Sequence, residues 1–182
     1  MDFFETVKKR YSHRENYLPN SIPINELERI AEAGLAAPTG KNLQCVRLII
    51  LPDRESIKPL YDAVPTDKLS TAPAAIAVLT DSFTQNEKLN FELEDYSAAV
   101  QNMLLAAVAL GYVSLWLDSP YFEGSEQKKA LEVLGVPTGY RLRAVLPIGK
   151  PEIDGVRRKV KYTYDERVSY GKFGGSKQEE LF

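Results

Sequence analysis

Apolar positions along the chain recur with two periods. In NELERIAEAGLAA, Leu27, Ile30, Gly34 and Leu35 follow a helical spacing, with Asn25 placed to cap the first turn. DFFETVKKR predicts a short helix with Asp2 as its N-cap. ESIKPLYDAV reads as a weaker helix. SEQKKALEVLG reads as an amphipathic one, capped by Ser125 and closed by Gly135. A long helix is expected over about Tyr96 to Leu110. Between these lie runs of strand character. VRLIIL is a buried strand stopped by Pro52-Asp53, AAIAVLT is closed by Asp81-Ser82, and VSLWL ends at Asp118-Ser119-Pro120. YRLRAVLPIG alternates as a strand should. Strands separated by helices place the fold in the α/β or α+β class. No internal repeat or interdomain linker is visible, so one domain over residues 1–182 is expected.

The long helix raises a question of assembly. YSAAVQNMLLAAVALG is apolar nearly all round, and six of its residues are Ala or Gly (Ala98, Ala99, Ala106, Ala107, Ala109, Gly111). A helix without a polar face is buried on all sides. It is either a central core helix under a sheet or a helix at a homodimer interface, where small residues permit close approach.

Composition narrows the function. Apolar residues at 44% and charged residues at 26% are ordinary for a globular protein. The charges, 23 basic and 25 acidic, give 23 − 25 = −2, which argues against nucleic acid as a partner. One cysteine, Cys45, fits a reducing compartment and excludes an internal disulfide framework. With His13 the sole histidine, a Cys/His zinc site is also excluded. MDFFETVKK lacks the apolar core of a signal peptide, and no uncharged stretch spans a membrane, so a cytoplasmic location is expected. GxGxxG, GxxxxGK[ST], GxSxG and HExxH are all absent. A chain so poor in acid, base and nucleophile sets suits chemistry carried by a bound cofactor.

Four polar stretches are candidates for holding one. In KKRYSHRENY, Arg10, Ser12 and Arg14 alternate with Tyr11 and His13, so an extended chain would point two guanidinium forks and a hydroxyl to one side. That edge suits a polydentate anion. APTGKNLQ offers Thr39, Lys41, Asn42 and Gln44 where a helix ends, although an ordinary terminating turn has the same composition. LWLDSP ends a strand with backbone donors. RRKVKY supplies Arg157, Arg158, Lys159 and Lys161, a run that as readily forms solvated surface.

Their order along the chain carries more than any one of them. R-x-S-x-R follows a helix, and A-P-T-x-x-N-x-Q follows the next. A small-residue helix then ends in L-G before a strand with Trp116. G-V-P-x-G-Y, G-K-P, K-x-K and V-S-Y come after it. This succession, from Phe3 to about Phe173, resembles the FMN-dependent nitroreductase family. The resemblance implies an α+β fold, a mixed central β-sheet surrounded by helices, and an intimate homodimer with two FMN molecules at its interface. It places Arg10 and Ser12 on the FMN phosphate and ribityl chain, and Arg14 near the phosphate or the pyrimidine edge of the flavin. Thr39, Asn42 and Gln44 match the loop that the partner subunit lays near the isoalloxazine. Asp118 and Ser119 match a strand end whose backbone approaches the flavin N5. Lys159 and Lys161 match a late basic pair at the phosphate, with Arg157 and Arg158 as alternatives.

The family loop commonly runs N-x-Q-P-W; here Cys45 and Val46 take the last two places. Cys45 is either a reactive thiol near the flavin or a small buried hydrophobe. The implied activity is NAD(P)H-dependent reduction of nitroaromatics, quinones or similar electron-poor small molecules by ping-pong hydride transfer. A cation such as Arg14 near N1 and O2 would favour the reduced flavin. The alternatives are an FMN-binding carrier or sensor, and a same-fold dehalogenase or flavin-fragmenting relative.

Overall fold

The computed structural model describes residues 2–81, 90–118, 124–153 and 162–176. Its helices are α1 (Phe3–Lys9), α2 (Ile24–Leu35), α3 (Arg54–Ala63), α4 (Asp67–Ser70), α5 (Glu92–Ala109) and α6 (Gly124–Val133). Its strands are β1 (Val46–Leu51), β2 (Ala74–Asp81), β3 (Val113–Ser114) and β4 (Tyr140–Gly149). They form one sheet in the order β1-β2-β4-β3, and every strand pairing is antiparallel. A parallel bridge from Ser12 to Ser114 extends the sheet past β3 and gives it its mixed character.

The two faces of the sheet carry two cores. Ile76 and Val78 of β2, with Ala144, Leu146 and Ile148 of β4, face α2 and α5. Ala75, Ala77 and Leu79, with Leu142 and Val145, face α3 and α6. Every residue of β2 is buried, as a strand covered on both faces must be. Each fully buried aliphatic side chain contributes about 1.5–3 kcal/mol of transfer free energy. β1 differs from the buried strand expected of it. It is an edge strand, with Arg47 exposed and Leu48 to Ile50 only half-buried.

Local chemistry fixes most of the element ends. The Asp2 carboxylate accepts from the Phe4 and Glu5 amides and caps α1 as expected. α3 starts in a capping box between Asp53 and Ser56. The cap of α2 is Pro23 rather than Asn25, which lies inside the helix, and Ser125 likewise lies inside α6. Leu35, placed on the apolar stripe, is 60% exposed, and Ala31 takes its place in the core. Gly34 is required where α2 crosses α5, since a Cβ there would meet Met103 at 2.8 Å. α5 starts four residues earlier than Tyr96, and VSLWL pairs continuously only at Val113–Ser114, with Leu117 making a separate bridge to Val145.

Candidate functional site

At the free edge of β3 the chain after α1 runs extended. Arg10 closes α1 at φ −63°, ψ 127°. Ser12 then bridges Ser114, and the His13 amide donates to the Ser114 carbonyl at 3.0 Å. Tyr11 and Tyr17 pack into the core beneath α3 and α6. The buried His13 ring meets both edge-on, at centroid distances of 6.0 and 4.7 Å. Strand alternation turns Arg10 and Ser12 to the opposite, α5 side. The Arg14 side chain is exposed, and its guanidinium donates back to the Ser12 carbonyl at 3.3 Å.

β3 presents the same alternation. Val113, Leu115 and Leu117 pack with α3 and α6, whereas Trp116 packs with α2 and α5 and meets Tyr96 edge-on at 5.7 Å. Among the described residues, three buried polar side-chain atoms have no hydrogen-bond partner: His13 Nδ1, Ser114 Oγ and Trp116 Nε1. All three lie on the two segments joined at Ser12–Ser114. Orphaned buried polar atoms are rare enough to need an explanation, and a bound polar group is one. Asp118 is half-buried and directly follows Leu117, whose amide and carbonyl pair with Val145 at 3.2 and 2.8 Å.

Thr39, Asn42 and Gln44 lie together on one short loop around the 3₁₀ turn Gly40–Asn42. Lys41, Asn42 and Gln44 all hold positive φ, at 53°, 56° and 53°. Asn tolerates that conformation, but Lys and Gln do so only under constraint. The Gln44 amide donates to Thr39 Oγ1 at 3.3 Å, so the loop is closed across its base. The Asn42 and Gln44 side chains are exposed. The expected residues that are described thus fall into three places: the Arg10–Ser12–Arg14 edge, this loop, and Asp118 after the Leu117 bridge. Ser119, Lys159 and Lys161 lie outside the described residues, as do Arg157 and Arg158.

A cluster of buried charge was missed in the sequence. Arg143 donates to Glu92 and, at 2.9 Å, to Thr80 Oγ1, and its guanidinium lies 5.8 Å from the Tyr96 ring centroid. Arg47 pairs with the buried Asp81 at 3.1 Å. Asp95 is also buried, with one carboxylate oxygen accepting from the Gly40 amide at 2.8 Å and the other from the Cys45 thiol at 3.5 Å. The signal that could have found it is the run of acids in ELED, which an apolar helix would otherwise exclude. Burial, then the Asp95 bond, pushes the Cys45 thiol up to about 12, so it is a locked donor rather than a reactive nucleophile.

The nitroreductase family model matches residues 7–67 and 58–150. The chain belongs to the nitroreductase family. The match covers the Arg10–Arg14 edge, the Thr39–Gln44 loop and Asp118, and it stops before Lys159. A protein of Archaeoglobus fulgidus, provisionally named NADH dehydrogenase/NAD(P)H nitroreductase, is 34% identical over 81% of this chain and 86% of its own. A Clostridium difficile structure described as an FMN-dependent nitroreductase superposes with a TM-score of 0.78 at 26% identity, covering 94% of this chain and all of that one. A nitroreductase structure from Desulfovibrio desulfuricans, solved in complex with FMN, gives 0.77 at 25% identity over 91% and 94% of the two chains. The nitroreductase fold expected from the sequence is the one observed.

Proposed function

We propose that this chain is an FMN-dependent oxidoreductase that uses NAD(P)H to reduce nitroaromatics, quinones or similar electron-poor small molecules. It would act as one cytoplasmic domain in a homodimer, without nucleic acid or membrane partners. The observation that carries the reading is the Ser12–Ser114 bridge. It aligns Arg10 and Ser12 with two orphaned polar atoms, Ser114 Oγ and Trp116 Nε1, on the α5 side of one sheet edge. Guanidinium, hydroxyls and an indole N–H fit a ligand rich in phosphate and hydroxyl acceptors. Bound FMN would supply the redox chemistry, taking hydride from NAD(P)H and passing it to the acceptor in a ping-pong cycle. The chain's own part is to bind and orient. Arg10 and Ser12 would hold the phosphate end, helped by Lys159 and Lys161. Arg14 would add positive charge near the phosphate or the pyrimidine edge. Asp118 and Ser119 would offer backbone groups to the flavin, and the Thr39–Gln44 loop would contribute from the other protomer.

The test is anaerobic. Purified protein loaded with FMN should bleach on addition of NADH or NADPH and regain its colour with a nitroaromatic or quinone. A yellow protein inert to both nucleotides would point to a carrier or sensor. A protein that takes up no FMN would defeat the reading.

A further inference from the structure

The Thr39–Gln44 loop holds three left-handed residues, none of them glycine, within four positions. Each costs free energy that persists only when the surroundings over-determine the conformation. Apolar packing does not supply that constraint alone. Behind the loop lies a cavity of about 290 Å³, lined by Thr39 and Gln44 together with Gly34, Arg47, Asp95 and Ala99. Bonds within the loop close its base, the Gln44 amide to Thr39 Oγ1 at 3.3 Å and the Asn42 amide to the Thr39 carbonyl at 3.1 Å, and polar groups outside it tie that base to the fold.

Asp95, in the first turn of α5, reaches both ends: it accepts from the Gly40 amide at 2.8 Å and from the Cys45 thiol at 3.5 Å. Arg47, on β1, donates to the Gln44 carbonyl at 2.6 Å while its other nitrogen pairs with Asp81 at 3.1 Å. Gly40 must be glycine for the same arrangement, since a Cβ would stand 2.2 Å from the Phe91 ring at the start of α5. The buried carboxylate is a strong acceptor for the Gly40 amide because a charged partner roughly doubles a hydrogen bond's strength.

We infer that Asp95 is a positioning residue that clamps the Thr39–Gln44 loop in its strained form, with Arg47 as the second anchor. Cys45 serves as a hydrogen-bond donor to that clamp. The consequence for function rests on the reading that this loop faces FMN. A loop already held in its bound shape pays no ordering cost when the ligand arrives.

The experiment compares the full-length wild type with Asp95→Ala, Asp95→Asn and Arg47→Ala. Hydrogen exchange of the 39–45 segment is followed without FMN, with thermal unfolding as the folding control. FMN affinity is then measured for each protein. Asp95→Ala should exchange about tenfold to a hundredfold faster in this segment and hold FMN more weakly by a similar factor. Asp95→Asn keeps an acceptor for Gly40 and should restore most of both. Arg47→Ala, at a half-exposed side chain, gives the same readout if Asp95→Ala fails to fold. Unchanged exchange at 39–45 in every variant that folds overturns the clamp. Faster exchange with unchanged FMN affinity overturns the link between loop shape and ligand. A wild type that binds no FMN defeats the proposed function, while the exchange data still decide whether Asp95 holds the loop.

Discussion

At the place where the family loop carries proline, Cys45 is wholly buried and hydrogen-bonded to Asp95. Its thiol is pushed from an ordinary value of 9.0 up to about 12. A raised pKa in the folded state means that the unfolded chain loses its proton first. The contribution to stability is therefore complete below about pH 9 and is lost as pH rises toward 12. Two outcomes follow. Iodoacetamide at pH 8 should label the native protein far more slowly than the protein in denaturing urea. Across pH 9 to 11 the wild type should lose more stability than Cys45→Ala, as read by urea midpoints at each pH. If Arg10 holds the FMN phosphate as proposed, Arg10→Ala should weaken FMN binding about tenfold to a hundredfold, the loss of one charge-assisted contact, in a fluorescence titration. Equal affinity in the two proteins would remove Arg10 from the site. The Arg10–Ser12–Arg14 alternation was legible because it is local and has period two. Asp95's hold on Gly40 was not, because the partners lie 55 positions apart and nothing local links them.

Between β2 and β4 the register shifts at Val78 and Leu79, which pair with Ala144 and Leu142. Arg143 is the extra residue of this bulge, and bulges of this kind re-aim a side chain. Here the side chain reaches Thr80 and Glu92, tying the sheet to the first turn of α5. Removing one partner leaves a buried charge uncompensated. Arg143→Ala should therefore cost about 3–5 kcal/mol, whereas Arg143→Met with Glu92→Leu should cost far less. Denaturant unfolding of both variants checks this; equal losses would mean that an unpaired Glu92 is not what destabilises the single variant. The same bulge explains why the start of α5 is hard to read. Glu92 and Asp95 look like the end of a polar stretch, which moves the expected start to Tyr96, yet both acids are buried in the helix's first turn. Strand positions were legible from apolar runs, but the Asn25 and Ser125 caps were not, since cap choice depends on the path of the preceding chain. VSLWL carries strand composition throughout, but β4 pairs continuously only with its first two residues.

For the whole molecule, the core reading of the long helix holds for one side of α5. One side of α5 is core, with Ala99, Val100, Met103 and Ala107 beneath the sheet. The other carries Ala98, Gln101, Leu105 and Ala109, exposed or half-buried in the single chain, so the helix is not covered on all sides by its own chain. Its neighbour α1 adds Phe4 at 81% exposure, and the segment after residue 161 adds Tyr164 and Phe173 at 64% and 103%. Exposed apolar side chains of this size would suit an association surface, and an obligate homodimer typically buries roughly 2,000 Å² or more. We expect the active unit to be a homodimer in which each FMN site draws on both chains, with the Thr39–Gln44 loop of one protomer reaching the flavin held at the Arg10 edge of the other. Ala109→Glu would place a charge on the outward side of α5 without disturbing the core beneath it, and Phe4→Glu would do the same on α1. Both variants should sediment as monomers with native circular dichroism, and both should lose bound flavin with the dimer, since a ligand shared across an interface is linked to its assembly. Separately inactive variants in Arg10 and in Asn42 should also regain activity when mixed, because a mixed dimer rebuilds one intact site. A wild-type monomer that keeps full FMN and turns over would refute the shared site, and with it the roles of Thr39, Asn42 and Gln44.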